Sequence, residues 1–343
     1  MNETTASEHA SSADADLSII IVSWNVRELL RRCLGSITAS MGGLPAHSPR
    51  PYEVIVVDNA SQDATAEMVR SEFPWVQLIA NTENAGFTRA NNQALRLARG
   101  RYILLLNPDT EIVGDALPAM LAYMDAHPDI GGLGPQLRFP DGRRQSSRRR
   151  FPTYATAFVE STPLQRWFPH SRLLQRYYMA DVPDDQPHAV DWLVGACLLL
   201  RREVVERVGL LDERFFMYSE ELDYAWRMRQ AGWPLVYFPD AVVIHHEAQS
   251  SGQVAAERLI LFHTSKVEFF RKWFGRRRGE ILRGFLLACF AWEWCVEGAK
   301  ALLGHKRPMR LARMRAYARV LRSGLRPASL PAPAAALPHA HLD

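Results

Sequence analysis

RYILLLNPDTE, residues 101–111, decides the fold. Tyr102 to Leu106 is a short apolar run ended by Asn107-Pro108-Asp109, which reads as a strand buried on both faces of a parallel sheet. Pro108 has no N–H to give a ladder, so the strand stops there. Asp109 and Glu111 then emerge at the carboxyl end of a central strand, the place where open α/β sheets bind ligands. A carboxylate there can hold a hard divalent cation that in turn holds a diphosphate. The same letters also fit a solvated turn, so the rest of the chain has to decide.

Upstream, strands and helices alternate. Leu17 to Val22 reads as a strand, Ser23-Trp24-Asn25 as a loop, and Arg27 to Ser40 as a helix with Leu29, Leu30, Cys33, Leu34 and Ile37 at helical spacing. Tyr52 to Val57 is a second strand, ending in Asp58-Asn59-Ala60-Ser61, with Ser61 or Asp63 as candidate caps of a following helix. Val76 to Ile79 is a third strand. The loop Asn81 to Thr88 carries Asn84-Ala85-Gly86, and Arg89 to Arg99 is a helix that Gly100 closes. This alternation predicts an α/β fold with a doubly wound, mostly parallel sheet. It sets Asp58, the Asn84–Gly86 loop and Asp109 at successive strand ends, where a nucleotide laid along the sheet edge meets all three. No G-x-G-x-x-G and no phosphate-cradling G-x-x-x-x-G-K-[ST] stands at these turns, which argues against a dinucleotide-dependent dehydrogenase and a P-loop kinase.

Downstream, a helix over 117–126 and a strand over Ile130 to Leu137 lead into the charged loop RFPDGRRQSSRRR, and 151–187 reads as a flap or a pair of short helices. Val190 to Leu200 is predicted as one buried strand, with Gly195-Ala196 marking a close approach. Glu220, Glu221 and Asp223 open a helix that Gly232 stops; acidic residues there complement the helix dipole. Asp223 and Arg227, four apart, are expected to pair. Glu220 and Glu221 follow Phe215-Phe216-Met217-Tyr218, whose rings desolvate a carboxylate and raise its pKa toward that of a useful base. Pro234 to Phe238 is a strand, and His245 follows the apolar run Ala241 to Ile244, with Asp109 as its candidate metal partner.

The chain of 343 residues, 48% hydrophobic and 23% charged, is able to bury a core, and its formal net charge is +4. The four cysteines (Cys33, Cys197, Cys289, Cys295) lack metal-ligand spacing and read as reduced core residues of a cytosolic protein. Residues 1–16 are polar and acidic, lack the pattern of a signal peptide and read as a disordered tail. Beyond Ser251 a helix over Gln253 to Phe274 precedes Arg276-Arg277-Arg278 and an apolar stretch, Ile281 to Leu303. Glu293, Glu297 and Lys300 break that stretch short of a spanning helix. Lys306 to Arg326 is a basic amphipathic helix. Met314, Tyr317, Ala318, Leu321 and Leu325 form one stripe; Arg315, Arg319, Arg322 and Arg326 form another. It either caps the preceding domain or docks on anionic lipid, as Trp- and Arg-rich helices do. Residues 327–343 are Pro/Ala-rich and read as a second disordered tail. The arginine clusters come without base-stacking aromatics or a known reader motif, so nucleic acid is not an expected partner.

The pieces SIIIVSWN, VIVVDNAS, NAGFTRANN, LLLNPDTE, VGACLLLRR, FFMYSEELDYAWR and HHEAQSS, in this order over Leu17 to Ser251, resemble the family 2 glycosyltransferases, in particular the rhamnosyltransferase-like branch. The resemblance implies a GT-A fold over 17–251 with a helical extension over 252–326. It also implies a dTDP- or UDP-sugar donor, Mg2+ or Mn2+, and a glycan or polyprenyl-linked acceptor in cell-envelope polysaccharide synthesis. Ser23, Asn25, Asp58, Asn84, Gly86, Asn107 and Asp109 fall at the donor-binding positions, with Asp58 looking like the reader of the base. Asn107-Pro108-Asp109 looks like the D-x-D metal motif and His245 like the metal-binding histidine. Glu221 falls where the family's base sits; the order of candidates is Glu221, then Asp223, then Glu220. Asn107 replaces the first Asp of D-x-D, Glu221 replaces the more usual Asp, and Ala248 stands where Gly is common. One base without a positioned nucleophile implies a single inverting displacement; hydrolases need paired carboxylates instead. L-rhamnose is the sugar expected, galactofuranose or an inactive sugar-nucleotide scaffold being the alternatives. The place expected is the inner face of the cytoplasmic membrane, peripherally bound.

Overall fold

Alternate residues of the first and fourth strands face opposite ways into two apolar layers, and this builds the molecule. Ile20, Val22, Ile103 and Leu105 enter one layer; Ile19, Ile21, Leu104 and Leu106 enter the other. The computed structural model describes residues 15–246, 255–304 and 306–327. The first half alternates β1 (Leu17–Ser23), α1 (Arg27–Ser40), β2 (Tyr52–Asp58), α2 (Thr65–Glu72), β3 (Gln77–Ala80), α3 (Phe87–Leu95) and β4 (Tyr102–Leu106). Then come β5 (Thr110–Ile112), α4 (Ala116–Ala126), β6 (Gly132–Arg138) and β7 (Arg148–Arg149). Three short helices follow, α5 (Tyr154–Val159), α6 (Pro163–Trp167) and α7 (Arg172–Tyr177), and then β8 (His188–Val190), β9 (Trp192–Leu193) and β10 (Cys197–Arg201). The chain continues through α8 (Arg202–Val208), α9 (Glu220–Gln230) and β11 (Leu235–His245) to α10 (Ala255–Phe274), α11 (Arg276–Leu302) and α12 (Arg307–Ser323).

Among the described residues the main sheet has nine strands, ordered β3-β2-β1-β4-β10-β6-β11-β5, with β8 also on β11. β1 to β4 are parallel, and β11 is parallel to β6, whereas β10, wedged between β4 and β6, runs against both. The carboxyl ends of β1, β2, β4, β6 and β11 therefore share one edge with the start of β10. β7 and β9 form a separate ribbon beside that edge. The fold is a GT-A-like mixed α/β sheet with a C-terminal helical region.

Several local expectations change. Ser61 caps no helix, its Oγ accepting from Asn25 N before α1, whereas Asp63 serves two helices: its Oδ2 accepts from Arg27 N at the start of α1 and its Oδ1 from Thr65 N, where α2 begins. α3 stops at Leu95, short of Arg99, because side chains take over the backbone groups that follow. Arg202 donates to Ala98 O and Gly100 O, and Ser18 Oγ accepts from Gly100 N. Gly100 is thus a close-approach glycine and no helix stop: an added Cβ would lie 2.4 Å from Ser18 N. The segment 190–200 is no single strand; it breaks at 194–196 between β9 and β10. Residues 151–187 hold three short helices where at most a pair was expected, capped by Thr153, Thr162 and Ser171. The two runs 234–238 and 241–244 belong to one strand, β11, with an irregularity between Phe238 and Val242. Cys33 and Cys197 are core residues, but Cys289 is half-buried and Cys295 exposed, because their side of α11 lacks a covering layer; all four are free thiols. The expected tails, 1–16 and 327–343, lie almost wholly outside the described residues, as does Ala248.

The C-terminal helices pack on the catalytic-edge side through α9. Trp226 of α9 meets Trp273, Phe269 and Phe274 of α10 at ring distances of 5.5, 5.7 and 5.9 Å. The charges that interrupt the apolar stretch of α11 are inter-helix partners: Glu297 takes Arg310 of α12 at 2.8 Å to both oxygens, and Glu293 takes Arg166 of α6. The stripe Tyr317 and Leu321 faces inward with buried Val320 and Leu325, while Arg315, Arg319, Arg322 and Arg326 are exposed. No described helix is long and apolar enough to cross a membrane.

Candidate active site

β1 and β2 end side by side, with Ser23 opposite Asp58. Both are buried. Ser23 Oγ and Asp58 Oδ1 are shielded from solvent and have no hydrogen-bond partner, so this corner carries polar capacity that the fold leaves unused. Burial pushes the Asp58 carboxyl up, while a hydrogen bond from Ser61 pulls it back. Asn25, at φ +53°, is committed to its own loop: its Oδ1 accepts from Gln62 N at 2.7 Å. Asn84 is committed too, its Oδ1 accepting from Asn59 Nδ2 at 2.8 Å and Gly86 N at 2.9 Å. Gly86 sits at φ +86°, and an added Cβ would strike the Phe216 ring at 2.4 Å. It locks the loop beneath the aromatic segment that precedes α9.

At the end of β4 the chain turns through Asn107, whose N–H donates to Ala196 O at 2.9 Å and whose carbonyl accepts from Thr110 Oγ1 at 2.7 Å. This turn aims Asp109 at His245: Oδ1 and Nε2 are 3.4 Å apart and both residues are buried. Gln145 Oε1 lies 2.9 Å from His245 Nδ1 and sets the ring's orientation, and His246 N donates to Asp109 O at 2.9 Å. Among the described residues no third His, Cys, Asp or Glu completes a metal-binding group. Two buried ligands so placed suit a hard cation that draws its other ligands from water and phosphate oxygens.

The acidic start of α9 is the third part. Tyr218 and Ser219 adopt successive left-handed conformations, φ +69° and +66°, which turn the chain sharply so that Glu220 and Glu221 head the helix. Such strain in non-glycine residues clusters at functional sites. Glu220 is buried, and its carboxyl is held well above the ordinary range by burial first and by the charge of Glu221 second. Glu221 is half-buried; burial raises its carboxyl too, against stabilising backbone hydrogen bonds that include Gly195. One oxygen of each, Oε2, is shielded and without a partner. Gly195 is the close approach expected of it: its added Cβ would sit 3.3 Å from Glu221 Cβ. The turn 194–196 thereby joins Asn107 to Glu221. Asp223 is differently placed. It is fully buried and accepts from Arg227 Nε at 3.0 Å, Lys272 Nζ at 2.6 Å and Trp273 Nε1 at 2.8 Å.

The structure thus brings Ser23, Asp58, Asp109, His245, Glu220 and Glu221 to one edge, whereas Asn25, Asn84 and Gly86 shape the loops around it. Gln145, Lys272 and Trp273 were not among the expected residues. Gln145 lies in an arginine-rich loop without a distinguishing pattern, and Lys272 and Trp273 look like ordinary helix residues until α10 packs on α9.

Comparison with known proteins gives the family. Residues 18–209 match the family model for glycosyl transferase family 2. The N-acetylglucosaminyl-diphospho-decaprenol L-rhamnosyltransferase of Mycobacterium tuberculosis is 31% identical over 265 residues, covering 74% of this chain and 83% of that protein. The rhamnosyltransferase WbbL of Escherichia coli is 26% identical over 241 residues, 66% of this chain and 82% of that protein. Among solved structures, the mannosyltransferase PcManGT from Pyrobaculum calidifontis in complex with GDP-Man and Mn2+ superposes with a TM-score of 0.52 at 17% identity, covering 92% of this chain and 87% of that one. With its sheet, its acidic helix start and its matched residues together, the chain belongs to glycosyl transferase family 2 and is a glycosyltransferase.

Proposed function

We propose that the enzyme moves a sugar, L-rhamnose, from a dTDP- or UDP-linked donor to a hydroxyl of a polyprenyl-diphosphate-linked saccharide, with inversion. The observation that carries this is Glu221: a desolvated carboxylate with an unpartnered oxygen, facing the edge that also holds the Asp109–His245 pair. Asp58 and Ser23 supply the unused polar atoms for the nucleoside. Asp109 and His245 fit Mg2+ or Mn2+, which when bound offsets charge on a leaving diphosphate. Glu221 takes the proton of the attacking acceptor hydroxyl, and Glu220 stays protonated behind it. The rhamnosyltransferase relatives support the choice of sugar, and the diphospho-decaprenol substrate named for one of them supports the acceptor class.

Glu221→Gln is expected to keep donor binding and slow transfer by ~10²–10⁴. Asp109→Ala is expected to abolish the metal dependence of donor binding, read as thermal stabilisation by dTDP- and UDP-sugars with and without Mg2+ or Mn2+. Wild-type transfer rates in Glu221→Gln, or metal-dependent binding that survives Asp109→Ala, refute the assignment.

The same reading places the protein on the inner face of the cytoplasmic membrane. Its support is the outward face of α11, where Ile281, Ala288, Trp292, Cys295 and Leu302 recur at helical spacing, all exposed. Arg276, Arg277 and Arg278 stand at its start, and α12 runs back along α11, from Arg310 at Glu297 to Gly324 at Arg283, carrying its exposed arginines alongside. An apolar face flanked by cations suits an anionic lipid surface. Flotation with phosphatidylglycerol vesicles should show binding that falls steeply with salt; failure to float at low salt counts against it.

A further inference from the structure

Arg149 stands on the β7–β9 ribbon beside the turn that packs on Glu221, and it forms no ion pair among the described residues. Its Nη1 donates to Ser146 Oγ at 2.9 Å and Arg148 O at 2.8 Å, and its Nη2 to Ser146 O at 2.9 Å. These acceptors are neutral, as is the Tyr177 hydroxyl that also bonds it, and among the described residues it forms no ion pair with a carboxylate within 4.0 Å. The guanidinium carbon stands 4.6 Å over the Tyr178 ring and 6.0 Å from the rings of Tyr177 and Trp192. Burial beside these rings pulls its pKa down, against the charge of Glu160 and a hydrogen bond with Tyr177.

Its surroundings tie it to the site. Arg149 pairs with Trp192 across the β7–β9 ribbon, three residues before Gly195, which packs on Glu221. The loop leading into β7 carries Gln145, the partner of His245. Tyr177 feels the charges of Arg149, Glu160 and Glu221 together. Glu160 is in turn taken by Lys266, at 2.8 Å, so it does not discharge Arg149.

We propose that Arg149, flanked by Tyr178 and Trp192, is a diphosphate-binding residue that selects the diphosphate-linked acceptor. A guanidinium presents parallel N–H groups that match phosphate oxygens two at a time, and a ring beneath it fixes its plane. Donor and acceptor both carry a diphosphate. The donor's belongs at Asp109 and His245 if the transferase reading holds, on which this inference rests; the acceptor's then falls on the Glu221 side, where Arg149 is.

The experiment compares wild type, Arg149→Lys and Arg149→Gln. Each is assayed with a short-chain polyprenyl-diphosphate-linked sugar and with the neutral alkyl glycoside of the same sugar. Binding of dTDP and UDP is measured by calorimetry alongside. The expected result is a KM for the diphosphate-linked acceptor raised by roughly 10- to 100-fold in Arg149→Gln, the worth of one charge-assisted pair. Arg149→Lys should recover part of the loss, while the neutral acceptor and nucleotide binding stay as in wild type. A fall in nucleotide affinity with acceptor KM unchanged assigns Arg149 to the donor and overturns the acceptor assignment. No change in any readout makes it a structural arginine. Binding of inorganic pyrophosphate in metal-free buffer, lost in Arg149→Gln and kept in Arg149→Lys, reads the site without turnover. A wild type that binds pyrophosphate through Arg149 yet transfers no sugar between these partners therefore refutes the proposed donor and acceptor and leaves the anion site standing. If Arg149→Gln fails to fold, the Lys variant and pyrophosphate competition against each acceptor on wild type decide the question.

Discussion

Replacing Asp223 by Asn separates a structural anion from a catalytic one at the head of the same helix. The carboxylate is fully buried and takes Lys272 Nζ at 2.6 Å, Trp273 Nε1 at 2.8 Å and Arg227 Nε at 3.0 Å. An amide of the same shape accepts at one atom only. Its NH2 then faces at least one of these donors, Arg227 loses the anion that balanced it, and Lys272 keeps only Asp212. Breaking a buried ion pair from one side costs about 3–5 kcal/mol. In a protein of this size that lowers Tm by roughly 4–7 °C. Differential scanning calorimetry measures the shift, and single-turnover transfer below the new Tm measures the chemistry. The Asp223→Asn variant, where folded, is expected to transfer sugar within about tenfold of wild type, against the ~10²–10⁴ loss in Glu221→Gln. A fully stable but inactive Asp223→Asn would refute the structural role and make Asp223 the base.

Glu220 and Glu221 offer a test by pH. Both carboxyls have raised pKa values in the folded protein, so the folded state holds these protons more tightly than the unfolded chain. The stability they contribute is fully present below the ordinary glutamate range and is lost as pH rises through the raised values. Glu220→Gln should therefore lessen the loss of stability with rising pH in thermal melts and leave the acidic limb of kcat/KM in place, because a protonated Glu220 and a glutamine are equally uncharged beside Glu221; a limb that moves to lower pH means that Glu220 is already anionic when Glu221 ionises. Gly195→Ala puts a methyl 3.3 Å from Glu221 Cβ and should lower kcat by about tenfold or more through displacement of the base, with nucleotide binding unchanged in calorimetry; an unaltered kcat removes Gly195 from the positioning of Glu221.

What could be read from the residues was what is local or periodic. Tyr102 to Leu106 is apolar throughout because both its faces are covered, and Pro108 fixes where that strand ends. The partner of Arg227 was legible because four residues on a helix is a contact distance. Direction was not legible: CLLLR of β10 has the same composition whichever way it runs, so its antiparallel insertion between β4 and β6 had no signature. Gly100 shows a second limit, since a glycine that ends a helix and one that lets two backbones meet carry the same letter. Donors brought from far along the chain, Gln145 to His245 and Lys272 to Asp223, are set by packing and not by spacing. For that reason the placement of Asp109 beside His245 could be expected while the partners that hold them could not.

The clasp of α10 on Asp223 also bears on the order in which the chain becomes an enzyme. During synthesis Asp223 leaves the ribosome 49 residues before Lys272 and 50 before Trp273. Until those two arrive, the buried carboxylate has Arg227 alone, and the helix that carries the proposed base lacks its contacts with α10. We expect nascent chains arrested before Lys272 to leave α9 open to protease, and chains long enough to expose Trp273 to close it in one step. Protection appearing already in the shorter chains would show that α9 docks without its clasp. A nascent chain bearing every residue of the edge would on this view still be inert, with transfer beginning only once the helices beside the arginine-flanked face of α11 have formed.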